Sequence, residues 1–140
     1  MIKLIIDNNV IISHLMTRDI NIVDKIIILK KQVNATIYLS KPIWDELSEA
    51  LDYPKLKQKL ISSKTSKFIA WYKYNAIIAA TSSQIQLCRD LRDNKFLELA
   101  REVKADYLIS GDQDLLELRE FEGTKILKPT EFIEELQLLL

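Results

Sequence analysis

The chain has 140 residues, 48% of them apolar and only five of them glycine or proline. That describes one domain around one core and excludes collagen-like, disordered and tandem-repeat architectures. Twenty basic residues offset twenty acidic ones, so no global field draws the chain to nucleic acid or membrane, and any such partner must be met by a local patch.

The N-terminal residues carry charges at Lys3 and Asp7 and lack the apolar stretch of a signal peptide. The longest apolar runs elsewhere, such as 26–29 and 76–80, fall far short of the roughly twenty residues that span a bilayer. The one cysteine, Cys88, forms no internal disulfide and reads as a small buried hydrophobe in a reducing compartment. The expectation is a cytoplasmic protein with no membrane anchor.

In chain order, 3–6 reads as a short buried strand that ends in a polar loop, Asp7-Asn8-Asn9. A helix follows with Ile22, Val23, Ile26, Ile27 and Leu29 on one face, Asn21 or Asp19 as its cap, and Lys30 and Lys31 at its C-terminal end. Residues 36–39 form a second strand, and Pro42 opens a helix that runs to Asp52 with Ile43, Leu47, Ala50 and Leu51 on one face. Beyond the Tyr53-Pro54 break come a helix over 55–61 and another from the Ser62-Ser63 cap toward Ala80, then an extended link over 82–87. Asp93 caps a helix bearing Phe96, Leu97, Leu99, Ala100 and Val103. A strand at 107–109, a short helix at Leu115, Leu116 and Leu118, a strand at 125–127 and a helix opened by Pro129 complete the chain.

Short, wholly apolar strands separated by helices predict an α/β fold with a mostly parallel central sheet covered on both faces. Ligands of such sheets sit beyond the carboxyl ends of the strands, where Asp7 and Asp112 fall.

The charge balance hides an asymmetry. Residues 1–89 hold 13 basic against 7 acidic side chains, and 90–140 hold 7 against 13. The stretch 53–89 has no acidic residue, and it interleaves Lys64, Lys67, Lys73 and Arg89 with Phe68, Trp71 and Tyr72. Basic residues among aromatics suit a phosphate backbone and stacked bases. The spacing of the aromatics equally describes the buried stripe of a helix.

Taken singly, the acids say little: an Asp ending a strand is commonly a turn former, Asp93 a cap and Glu46 an exposed first-turn glutamate. Their setting says more. The segment Leu4-Ile5-Ile6-Asp7-Asn8-Asn9-Val10 resembles the Asp-Thr-Asn opening of PIN-domain nucleases. Four further segments match in family order: Ser40 to Leu47, Arg89 to Ala100, Ala105 to Leu116 and Ile126 to Phe132. The resemblance covers nearly the whole chain and is closest to PIN proteins described as toxins of bacterial and archaeal toxin–antitoxin pairs, relatives of the VapC ribonucleases. Asn8 and Ser110 stand where the family usually or often has Thr.

The resemblance implies a three-layer α/β/α PIN-like domain over 1–140 with an acidic catalytic site of Asp7, Glu46, Asp93 and Asp112. Asp7, Asp93, Asp112 and Asp114 would be its metal ligands, and Asn9 and Ser110 would support Asp7 by hydrogen bonds. It also implies an RNA substrate, an antitoxin partner that blocks the cleft and a homodimer. Trp44, Leu51 and Leu56 are candidate antitoxin-groove positions that read equally as core.

Four converging carboxylates stay ionised together only around a multivalent cation. Oxygen ligands without a Cys/His cluster favour Mg²⁺ or Mn²⁺ over zinc. The chemistry that follows is hydrolysis of a phosphodiester by activated water, with no nucleophilic side chain. His14 and Ser13, just beyond the first loop, are possible substrate contacts, although the mechanism does not require the imidazole.

Two other readings remain. One is a PIN-like scaffold that binds RNA or protein without cutting, against which stands the complete acidic set. A phosphoryl-transfer domain of the haloacid dehalogenase or receiver type also places Asp after its first strand, but the dehalogenase pattern wants Asp where this chain has Asn9.

Overall fold

In the computed structural model, which describes residues 1–17 and 21–140, six strands form one sheet. They are β1 (Ile2–Ile6), β2 (Ala35–Leu39), β3 (Ile77–Ile78), β4 (Tyr107–Ile109), β5 (Glu120–Phe121) and β6 (Thr124–Leu127), in the spatial order β3-β2-β1-β4-β6-β5. All pairings are parallel except that of β5 with β6. The helices are α1 (Asn8–Leu15), α2 (Ile22–Gln32), α3 (Lys41–Asp52), α4 (Pro54–Lys57), α5 (Ser62–Asn75), α6 (Asn94–Val103), α7 (Gln113–Leu116) and α8 (Pro129–Leu139).

Leu4 and Ile5 point to opposite faces of β1, and both are fully buried, so helices cover the sheet on both sides. α2 packs against α8, and α3 against α6. Each Leu or Ile buried in this way contributes about 1.5–3 kcal/mol. This is the α/β fold with a mostly parallel sheet that the sequence predicts. Among the described residues, no helix is long and apolar enough to cross a membrane.

Asn21 caps α2 in a reciprocal capping box with Asp24, while Asp19, the alternative cap, and the Ile22 side chain lie outside what is described. Phe68 and Tyr72 are buried and Trp71 half-buried, so these three aromatics form the inner stripe of α5, while Tyr53 and Tyr74 are exposed. Cys88 is buried, and burial pushes its thiol up to about 11.

Four local expectations need correction, and one turn was not foreseen. The chain after β1 is no loop: Asp7 caps α1 directly, and buried Val10, Ile11 and Leu15 hold that helix despite its Asn-Asn start. The helix over 55–61 contracts to α4, which ends at Lys57. α5 stops at Asn75 rather than near Ala80, because the β-branched pair Ile77 and Ile78 adds to the free edge of β2. Its start carries no side-chain cap from Ser62 or Ser63, since Ile61 occupies the cap position. A two-residue turn joins β5 to β6 with Glu122 and Gly123 both at positive φ, the geometry of a tight hairpin, and Glu122 disguised it.

Candidate metal centre

Strand register brings the acids together. Ile6 pairs with Ile109, and the next step of the ladder has the Asp7 N–H donating to the Ile109 carbonyl at 2.8 Å. Asp7 therefore emerges from the sheet beside Ser110, and the Ser110 hydroxyl donates to Asp7 Oδ2 at 2.7 Å. The Ser110 oxygen in turn accepts the Asp112 N–H at 3.0 Å, which links the loops after β1 and β4 through one hydroxyl.

Asp7 is 3% exposed. Burial raises its carboxyl above the usual range, against the Ser110 hydroxyl and the Asn9 N–H, and nearby Asp112 and Glu46 raise it further. Support from Asn9 comes through its backbone N–H, 3.2 Å from Asp7 Oδ1, while its side chain is exposed.

Asp112 caps α7: its Oδ1 accepts the Asp114 N–H at 2.8 Å, which turns both carboxylates toward one space. Asp93 completes the group. One oxygen each from Asp93, Asp112 and Asp114 lie within 4.8 Å of one another. The expectation that Asp93 caps its helix is corrected. Asp90 caps a 3₁₀ turn over Leu91–Asp93 instead, and Asp93, at the start of α6, makes no side-chain cap bond. Its Oδ2 is buried without a hydrogen-bond partner among the described residues. Burial first, then Asp112, pushes the Asp93 carboxyl up to about 7.

An orphaned buried oxygen among three carboxylates fits a hard divalent cation, which would replace the missing partner and offset the repulsion. The residues to hold one are Asp93, Asp112 and Asp114. Asp7 lines the same cavity of about 220 Å³ with Glu46, Asp90 and Arg92, but its two oxygens are engaged by Ser110 and Asn9, and it falls outside that close trio.

Glu46, on α3, has both oxygens engaged. Asn8 Nδ2 donates to Oε1 at 2.9 Å and also to the Ile43 carbonyl at 2.9 Å, and Lys95 Nζ lies 2.6 Å from Oε2. Lys95 also donates to the Arg92 carbonyl.

Asn8, which stands where the family usually has Thr, thus reaches Glu46, and Lys95 joins the site without any motif to mark it. A signal for Lys95 was present: it stands in the first turn of α6, where the helix dipole disfavours a cation, and such local conflicts mark functional positions.

Of the basic candidates, Arg89 reaches the site. It lies 3.8 Å from Asp114 Oδ1 and 3.8 Å from Glu117 Oε2. Lys64 donates to the Thr17 carbonyl at 2.8 Å, and Lys67 and Lys73 are exposed on α5; none of the three is among the described residues that line the acidic cavity. His14 is buried, with Nδ1 2.8 Å from Asn21 Oδ1, and burial lowers its pKa. Trp44 and Leu51 pack half-buried against the core.

The profile of the PIN domain matches residues 3–114, which span all five acids. An uncharacterized protein of Methanocaldococcus jannaschii is 33% identical over 145 aligned residues, 97% of this chain and 92% of that protein.

Proposed function

This chain belongs to the PIN-domain family, and from that premise we propose that it is an Mg²⁺- or Mn²⁺-dependent endoribonuclease. PIN domains are in general metal-dependent nucleases. The observation that carries the reading is the trio of carboxylates, one oxygen each from Asp93, Asp112 and Asp114 within 4.8 Å of one another, in which Asp93 also has a buried Oδ2 with no partner among the described residues.

Asp93, Asp112 and Asp114 would hold the cation. When bound, it supplies charge that lowers the pKa of the attacking water and stabilises the leaving oxygen. Asp7, fixed by Ser110 and the Asn9 N–H, lines the same cavity as Asp93 and Asp112 and would add its charge to the hold on the cation, so cleavage depends on it. Glu46, held between Asn8 and Lys95, presents a fixed carboxylate at the opposite wall and orients the attacking water. Arg89 meets a phosphate at the Asp114 edge. Water breaks one P–O bond of the diester and leaves a phosphomonoester and an alcohol.

The likeness of the motifs to toxin-type PIN proteins supports a finer reading: one domain over 1–140, cytoplasmic, acting as the toxin of a toxin–antitoxin pair. The cognate antitoxin blocks the cleft with a cation aimed at the carboxylates. The exposed apolar pair Ile77 and Ile78 at the sheet edge offers surface for a homodimer.

The test is cleavage of end-labelled RNA by the protein and by Asp7→Asn, with Mg²⁺ or Mn²⁺ and with excess chelator. The reading predicts cuts that need both the metal and Asp7. Equal cleavage by both folded proteins, or cleavage in chelator, overturns it.

A further inference from the structure

A second, larger cavity of about 480 Å³ adjoins the acidic one, and Asn9 and Asp112 line both. Val10, Val23 and Pro129 give it apolar walls, and Ser13 is exposed beside it. Thr17 also lines it, and the Thr17 carbonyl accepts from Lys64 Nζ at 2.8 Å, which puts a cation at its edge. Neither the metal-holding acids nor the clamp on Glu46 explains this space.

A phosphodiester seated at Asp93, Asp112 and Asp114 carries a nucleoside on each side of the phosphorus. The one that leaves past Asn9 and Asp112 arrives at this cavity. A base is a flat, largely apolar ring system with polar edges, and it is taken up by apolar walls that carry a few polar groups. The volume lies in the range of small-molecule sites.

We propose that this cavity is a base-binding subsite, which receives the unpaired base of the nucleotide next to the cleaved phosphate in single-stranded RNA, with Lys64 meeting the following phosphate. A base paired within a duplex is not free to enter, so the cavity selects single strands. The inference rests on the ribonuclease reading and deepens it by assigning a base subsite beside the acidic cavity.

Ser13→Trp fills the cavity from its exposed side. Binding of a labelled oligouridylate and of an abasic ribose-phosphate oligomer of equal length is measured by fluorescence anisotropy in Ca²⁺, for the native protein and the variant. The proposal predicts that Ser13→Trp weakens oligouridylate about tenfold, the loss of one stacked base, and leaves the abasic oligomer unchanged. Equal oligouridylate binding by both proteins, or an equal loss with the abasic oligomer, overturns it.

Crosslinking of a thiouridine-substituted oligomer to the native protein gives a reading independent of the variant's folding. Crosslinks within 9–17 support the subsite, and crosslinks confined elsewhere overturn it. Hydrolysis of a small aromatic phosphodiester by the native protein with Mn²⁺ is followed in parallel. If it is absent while base discrimination persists, the base site stands and the hydrolytic chemistry falls.

Discussion

Lys95 clamps Glu46: its Nζ lies 2.6 Å from Glu46 Oε2, although the two residues come from different helices, α6 and α3. The lysine side chain is 13% exposed and the glutamate side chain 38%, so the pair is half-shielded at the cavity wall, and its use is to orient Glu46. With Asn8 on the other oxygen, Glu46 is held in one orientation at the cavity wall.

Replacing Lys95 by Met should lower kcat for RNA cleavage about tenfold, because Glu46 is released, while Mn²⁺ affinity changes little. Lys95→Arg should recover part of the loss. Steady-state kinetics alongside calorimetric Mn²⁺ titration checks both; an unchanged kcat in Lys95→Met would remove the clamp from the mechanism.

Asp112 has two separable duties, as a carboxylate of the metal trio and as the cap of α7. Asp112→Asn keeps an oxygen for the Asp114 N–H and removes the charge, so it should weaken metal binding at least tenfold with little change in stability. Asp112→Ala should lose the cap as well and cost about 1 kcal/mol. Urea unfolding of the metal-free variants separates the two effects.

Ser110→Ala should strip the buried Asp7 Oδ2 of its donor, at a cost of about 1–3 kcal/mol. Loss of a hydrogen bond to the charged form raises the Asp7 carboxyl further, which moves the acidic limb of the pH–rate profile to higher pH. Ser110→Thr keeps the hydroxyl and should restore both properties. An unmoved acidic limb in Ser110→Ala would show that Asp7 is not the group titrating there.

The Asp93 carboxyl rises from an ordinary value of 3.8 to about 7 in the folded chain. It binds its proton more tightly folded than unfolded, so its contribution to stability is complete below about pH 4 and is lost as pH rises through about 7. In chelator, Asp93→Asn should therefore melt higher than the native protein at pH 8 by several degrees, at about 4 °C per kcal/mol for a domain of this size. At pH 4 the two should melt together. Mg²⁺ should raise the native protein at pH 8 and leave the variant nearly unmoved; parallel melting curves across the series would contradict the strained acid.

The four longer strands were legible because each is a short apolar run bounded by polar residues, and the ends of β1 and β4 placed Asp7 and Asp112 without further help. The two-residue strands β3 and β5 were not legible: each exists only because a neighbouring strand supplies hydrogen-bonding partners, which no local window contains. α1 was hidden for a similar reason, since core packing of Ile11 and Leu15 overrides the poor propensity of Asn8 and Asn9. Within the site, the acids could be read from their motifs. The Asn8–Glu46–Lys95 clamp could not, because it depends on how α1, α3 and α6 converge. Lys64 had a readable charge but no readable place, and its bond to Thr17 separates it from Lys67 and Lys73 on the same helix.

The central claim is that Asp93, Asp112 and Asp114 together hold a divalent cation, and anomalous diffraction from a crystal soaked in Mn²⁺ addresses it most directly. The account predicts a peak bonded to oxygens of these three carboxylates, at roughly the 2.0–2.2 Å of a small hard cation, and its loss in Asp93→Asn. A soaked crystal with no peak among the three, or one that persists unchanged in Asp93→Asn, would contradict it.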